Sequence, residues 1–181
     1  LVRTIDAVEA DANQAVMSAP ESAFVVVCSA HPPALAVFDR PPRGTPQRKD
    51  VSGATALVDG SAALSEALGV DPRDPFASLD RLSLGAEPEF QREIAAVIRW
   101  NGGALELRPQ DLLSAARRVA GEHADALRDA QSLNARVGHA RRAIAASFTA
   151  ELARVVADVA DRTRGTRASA PIGVGGPAFA N

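Results

Sequence analysis

Residues 108–164 read RPQDLLSAARRVAGEHADALRDAQSLNARVGHARRAIAASFTAELARVVADVADRTR, and the fold turns on how this stretch is taken. Leu112, Leu113, Ala116, Val119, Ala120, Ala124 and Leu127 recur at spacings of three and four, which places them on one helical face. Val137, Ala140, Ile144, Phe148, Leu152, Val155 and Val159 repeat the pattern further on. Arg117, Arg118, Glu122, Asp125, Arg128 and Asp129 fall mostly between them, so the other side is solvated and mixed in charge. Pro109 suits a first helical turn, where its missing N–H has no intrahelical partner, and Asp111 suits the positive end of the dipole. Arg162-Thr163-Arg164-Gly165 is a stop signal. Between the halves, Asn134 and Gly138 are poor helix residues and good turn or cap residues. A turn there gives a helical hairpin, the shape we favour. A continuous stripe would instead give one helix of roughly 80 Å at ~1.5 Å per residue, with Asn134 helping to fix register.

The whole chain has 181 residues, 46% hydrophobic and 23% charged, the balance of a folded protein with room for one ordinary domain. Only 4% of residues are aromatic, with no tyrosine and one tryptophan. A core of Ala, Val and Leu lets helices approach closely but supplies few platforms for stacking bases. The net charge of −2 and pI near 5.9 argue against a dedicated nucleic-acid binder. Every basic residue except Lys49 is arginine, spread along the chain as expected of a high-GC bacterial genome. The single cysteine excludes an internal disulfide and a multi-cysteine metal site. Leu1 to Ala19 carries Asp6, Glu9 and Asp11 where a secretory leader needs an apolar core. No apolar run approaches the ~20 residues of a membrane span. The expected location is cytoplasmic.

Upstream, Thr4 to Met17 has Ile5, Val8, Ala12 and Val16 at helical spacing. Ala23-Phe24-Val25-Val26-Val27-Cys28 and Ala34-Leu35-Ala36-Val37-Phe38 flank a Pro-Pro turn and read as paired strands. Residues 39–50 (DRPPRGTPQRKD) have loop composition, and Val51 to Val58 is read as a third short strand ending at the turn Asp59-Gly60. Ser61 to Leu68 is read as a short helix closed by Gly69, and Asp74-Pro75 opens a helix with Phe76, Leu79 and Leu82. Glu87-Pro88 opens another, with Phe90, Ile94, Val97, Ile98 and Trp100 on its buried side, stopped by Asn101-Gly102-Gly103. Trp100-Asn101-Gly102 resembles the W-x-G turn of the small helical hairpins exported by type VII secretion systems. That match is three residues long and carries no role onto this chain.

Cys28 and His31 are the weak candidates for nucleophilic catalysis, since a C-x-x-H spacing can bring a thiol to an activating imidazole. A cysteine within Val-Val-Val-Cys is more commonly a small buried hydrophobe. His123 and His139 lie outside any H-E-x-x-H or E-x-x-H pattern, so no metal site and no cofactor is read from the sequence. Arg40, Arg43, Arg48 and Lys49 form the one local basic cluster, a possible anion contact. The short-helix region 61–101 has more acids than arginines, which disfavours DNA docking. Gly173-Val174-Gly175-Gly176 has no strand before it and no helix after it, the context a nucleotide loop requires.

The expected fold is α+β and predominantly helical: short N-terminal antiparallel strands, then short helices and a long C-terminal helical hairpin or one long helix. Sections are drawn at 1–60, 61–107 and 108–165, with a Pro/Gly-rich tail at 166–181 that is mobile or laid against a partner. An alanine-rich stripe buries best against another helix. The functional expectation is therefore a non-catalytic interaction protein, an adaptor, chaperone or structural subunit. Its interface would be Leu112, Ala116, Val119, Leu127, Ile144, Phe148, Leu152, Val155 and Val159, facing a protein partner or a second copy. The alternatives are a small enzyme or enzyme subunit with a site near the N-terminal strands, and a dimeric DNA-associated regulator using the basic loop.

Overall fold

A computed structural model describes residues 7–18, 23–31, 33–41, 45–101, 104–164 and 170–175. The chain divides into two compact units, residues 1–54 with 155–181, and residues 55–154. The fold is α+β and dominated by helix, as its patterning predicts.

In the first unit, β1 (Phe24–Ala30) and β2 (Pro33–Asp39) form the expected antiparallel hairpin, Val25 opposite Phe38 and Cys28 opposite Leu35. Continuous β-branched and apolar residues suit β1 because it is the inner strand, buried along all seven residues. Two further strands complete the order β3-β2-β1-β6. β3 (Gln47–Asp50) comes from the stretch read as loop. Its four residues are all exposed, and Arg48, Lys49 and Asp50 place charge along a sheet edge, a device that discourages pairing with another chain. β6 (Ile172–Gly175) comes from the stretch read as a tail, and it runs parallel to β1, Phe24 against Ile172 through Val27 against Gly175. Glycines at 173 and 175 weaken any strand signal in the sequence. The helix α1 (Ala7–Ser18) lies against β1, β2 and β6, and its Ala12 and Ala15 bury with Val25, Val27, Ala34, Ala36 and Phe38. Each fully buried valine or phenylalanine stabilises by about 1.5–3 kcal/mol.

Residues 54–67 form the helix α2 (Ala54–Ala67), not a strand followed by a turn. Leu57, Ser61, Leu64 and Leu68 are all buried at helical spacing, and alanine favours helix over strand. Gly60, read as a turn, sits inside this helix because Leu107 packs onto it. A β-carbon there would lie 2.5 Å from Leu107 Cδ2. The close of α2 follows the sequence. Gly69 takes φ +66, the Gly69 N–H donates to Glu66 O at 3.1 Å and the Val70 N–H donates to Ser65 O at 2.9 Å, the paired bonds of a Schellman ending.

The helix α3 (Pro75–Ser83) buries Phe76 and Leu79 as expected. The next helix, α4 (Gln91–Ala95), is far shorter than its pattern suggests. The Val97 and Ile98 N–H groups donate to Ile94 O and Ala95 O, three residues back, so the α-helical ladder has given way to tighter turns before Arg99. β4 (Arg99–Asn101) then pairs antiparallel with β5 (Ala104–Glu106). Trp100 thus stands in a strand, not at the junction of two helices.

The decisive stretch breaks in two. α5 (Pro109–Ala120) carries Pro109 in its first turn and Asp111 behind it, and it stops at Gly121, where φ is +56. A short 3-10 segment (Gly121–Ala126) follows. Asn134 then opens α6 (Ala135–Arg164), its side-chain Oδ1 accepting from the Arg136 N–H at 3.0 Å. The break expected between the stripes is present, and Gly138 lies inside α6 with open space around it. In its middle, α6 is not amphipathic. Every residue from Ala143 to Phe148 is buried, a helix surrounded on all sides.

The buried guanidinium of Arg141 closes a gap that apolar side chains cannot. Its Nε and Nη2 donate to Leu68 O at 3.0 and 2.6 Å, and its Nη1 donates to Ala130 O at 3.3 Å. Leu68 is the residue just past the end of α2, so the cation sits where carbonyls have no helical partners and the dipole favours positive charge.

Candidate functional site

Of the residues proposed as an outward interface, Leu112, Ala116, Leu127, Ile144, Phe148, Leu152, Val155 and Val159 are all buried, and Val119 is half-buried. They build the interior of this chain, so the stripe is satisfied internally and is not an open face. The sequence cannot distinguish these outcomes, because a helix seeking its own core and one seeking a partner carry the same periodicity.

Cys28 is 1% exposed within β1, and burial pushes its thiol from an ordinary 9.0 up to about 12. His31 is exposed in the turn after β1, its backbone N–H donating to Ser29 Oγ at 3.3 Å. The thiolate that nucleophilic chemistry needs is suppressed. A thiol reagent such as Ellman's is therefore expected to modify the native protein only as fast as the chain opens, with little rise in rate between pH 7 and about 9. Quick, strongly pH-dependent labelling of the folded chain would contradict the assignment. The linkage sign is fixed: an acid whose folded value is raised loses its stabilising effect as pH climbs from the unfolded thiol's range near 9.0 toward about 12.

The basic cluster is not assembled at one point. Arg40 follows β2 and donates its backbone N–H to Ala23 O, while Arg43 lies outside the described residues. Arg48 Nε is 2.8 Å from Asp50 Oδ1 and its guanidinium stands 6.0 Å from the Phe38 ring centroid. Lys49, its neighbour in the strand, points to the opposite face. His139 Nε2 is 2.9 Å from Glu89 Oε1. His123 Nε2 is 3.6 Å from Glu122 Oε1 in the 3-10 segment. Among the described residues no group of three or more His, Cys, Asp or Glu gathers in a way that could hold a metal ion, and no helix is long and apolar enough to cross a membrane.

What the second unit does display is a groove of about 390 Å³ beside α5. Val97 and Leu107 give it apolar lining, and Arg99, Glu106, Arg108, Asp111, Ser114 and Arg118 give it charge and polarity. Position follows from local structure. Arg99 stands at the start of β4, Glu106 opposite it at the end of β5. Arg108 precedes the first turn of α5, and Asp111, Ser114 and Arg118 follow at spacings of three, three and four along one helical face. The side chains of Arg108 and Arg118 form no hydrogen bond or ion pair with any described residue, and Arg99 spends one donor on Ala96 O at 3.3 Å. Ser114 Oγ donates to Gln110 O at 2.7 Å, leaving its lone pairs as acceptors. The 108-111-114-118 spacing is legible in the sequence, but Arg99 reaches the groove only because α4 ends early.

A second hollow of about 320 Å³ has Ala63, Ala67, Leu113 and Ala116 among its lining residues. The Arg128–Glu66 ion pair, 3.0 Å and well exposed, stands on its rim.

One buried acid escapes the sequence reading. Glu151 is 0% exposed, three residues after Phe148 and four before Val155, on the core side of α6. It is paired with Arg154, whose Nε lies 2.9 and 2.8 Å from the two carboxylate oxygens.

No protein-family model matches the chain, and no curated protein or solved structure shows significant similarity to it.

Proposed function

We propose that the chain is a non-catalytic interaction protein whose binding surface is the groove beside α5. The observation that carries this reading is the pair of exposed arginines, Arg108 at the start of α5 and Arg118 near its end, around a concave, partly apolar lining, neither charge having a partner among the described residues. Concave sites with a few convergent polar groups are where proteins hold ligands, and arginine is enriched where they hold other proteins. The alternative of an enzyme centred on Cys28 and His31 is weakened by the suppressed thiolate. The DNA-regulator alternative is weakened by the pairing of Arg48 with Asp50.

A photo-crosslinking amino acid replacing Ser114, with a control at the exposed Arg73, tests the reading in cells. Protein adducts specific to the Ser114 position are expected. A product of twice the chain's mass would identify a second copy as the occupant, and any other mass a different partner. Equal labelling at both positions would remove the groove from consideration.

A further inference from the structure

The geometry points to an extended, acidic peptide segment as the ligand of the groove beside α5, an inference that rests on the interaction reading above and names the partner's chemistry. Arg108, the residue that caps the start of α5, and Arg118 near its end are ten residues apart, about 15 Å along the helix axis at ~1.5 Å per residue. An extended chain covers that distance in roughly four or five residues at ~3.3 Å each. Two carboxylates at that separation can therefore each meet a guanidinium, which binds carboxylate oxygens through paired N–H donors. Arg99 adds a third cation from β4, while the half-buried Val97 gives the intervening side chains an apolar seat.

Glu106 and Asp111 decide against a nucleic acid. They line the same groove as the cations, so a phosphodiester strand, charged at every nucleotide, would set phosphates against carboxylates. A peptide with spaced acids meets the arginines and turns backbone N–H groups toward Glu106 and Asp111. Because Arg108 and Arg118 have no partner among the described residues, binding breaks no ion pair on this side.

The test is fluorescence anisotropy with a labelled Gly/Ser peptide carrying two glutamates four residues apart. Three comparison probes are a peptide with both glutamates changed to glutamine, one with the glutamates adjacent, and a single-stranded oligonucleotide. Inorganic phosphate serves as competitor. The spaced acidic peptide is expected to bind best, weaken as salt rises, and lose roughly tenfold or more in affinity in the Arg108→Ala/Arg118→Ala variant. The Arg108→Lys/Arg118→Lys variant, with the same melting curve, is expected to keep part of that affinity. The inference is overturned by equal binding of the glutamine peptide, by preference for the oligonucleotide, by full displacement with millimolar phosphate, or by unchanged affinity in the alanine variant. Site-specific adducts at Ser114 with no binding of the acidic peptide would sink this inference alone. Absence of both would sink the interaction reading with it.

Discussion

Replacing Gly69 by alanine is expected to destabilise the protein by about 3 kcal/mol and to lower its melting temperature by roughly 10 °C. Two costs combine. At φ +66 an alanine meets the left-handed penalty, roughly 1–2 kcal/mol. The added β-carbon would also fall on the backbone carbonyl of Arg128, which no rotamer change can move aside, so overpacking adds about 1–3 kcal/mol. Gly85 separates these terms. Its φ is +71 and nothing lies within 4 Å of its would-be β-carbon, so Gly85→Ala should show the backbone cost alone, about 1 kcal/mol. Urea denaturation of both variants reads the difference. Equal losses would mean that the close approach of residues 69 and 128 does not exist in solution.

Arg154→Ala is expected to cost about 3 kcal/mol at neutral pH, although the arginine side chain is 43% exposed and most changes at such positions are mild. The reason is the group it leaves behind. Glu151, 0% exposed, holds both oxygens against one guanidinium, with Arg154 Nη2 at 2.5 Å and Nε at 2.8 and 2.9 Å. Removing one member of a buried pair strands a desolvated charge, which costs about 3–5 kcal/mol, whereas replacing both by apolar groups of similar volume is commonly near neutral. The solvent-facing side of Arg154 puts the expected value at the lower end. The double variant Glu151→Leu/Arg154→Leu should therefore recover most of what Arg154→Ala loses. A double variant as damaged as the single one would show that the pair stabilises the fold by its bonds, not that the lone acid destabilises it.

Local chemistry with a single solution was readable from the residues. The Phe24–Cys28 run reads as strand, Pro109 suits a first turn, and Gly69 suits the close of a helix, while Asn134 leaves a turn and a continuous helix both open. Each rests on one residue type's restricted backbone or hydrogen-bonding options. What escaped depends on neighbours distant in sequence. Gly60 looks like a turn until Leu107 is seen lying on it. Val97 and Ile98 fit a helix until β5 offers β4 a partner. Residues 172–175 look like a tail until β1 gives them a ladder. The candidate groove was half visible, since the face Arg108-Asp111-Ser114-Arg118 follows from helical spacing, whereas Arg99 joins it only through the tertiary fold.

The parallel pairing of β1 with β6 has a consequence for how the chain comes into being. Its partner residues are about 150 positions apart in the sequence, and the whole of the unit spanning 55–154 is threaded between them. Pairings of such separation close late, because the entropy of the intervening loop is lost before the contact stabilises anything. On a ribosome that emits the N-terminus first, the contiguous unit is complete while the sheet still waits for its fourth strand. Until residues 172–175 emerge, the flank of β1 that β6 later covers presents open N–H and C=O groups beside an apolar strand. The nascent chain thus passes through a period in which this apolar edge is uncovered, and that period ends only when residues 172–175 pair with β1.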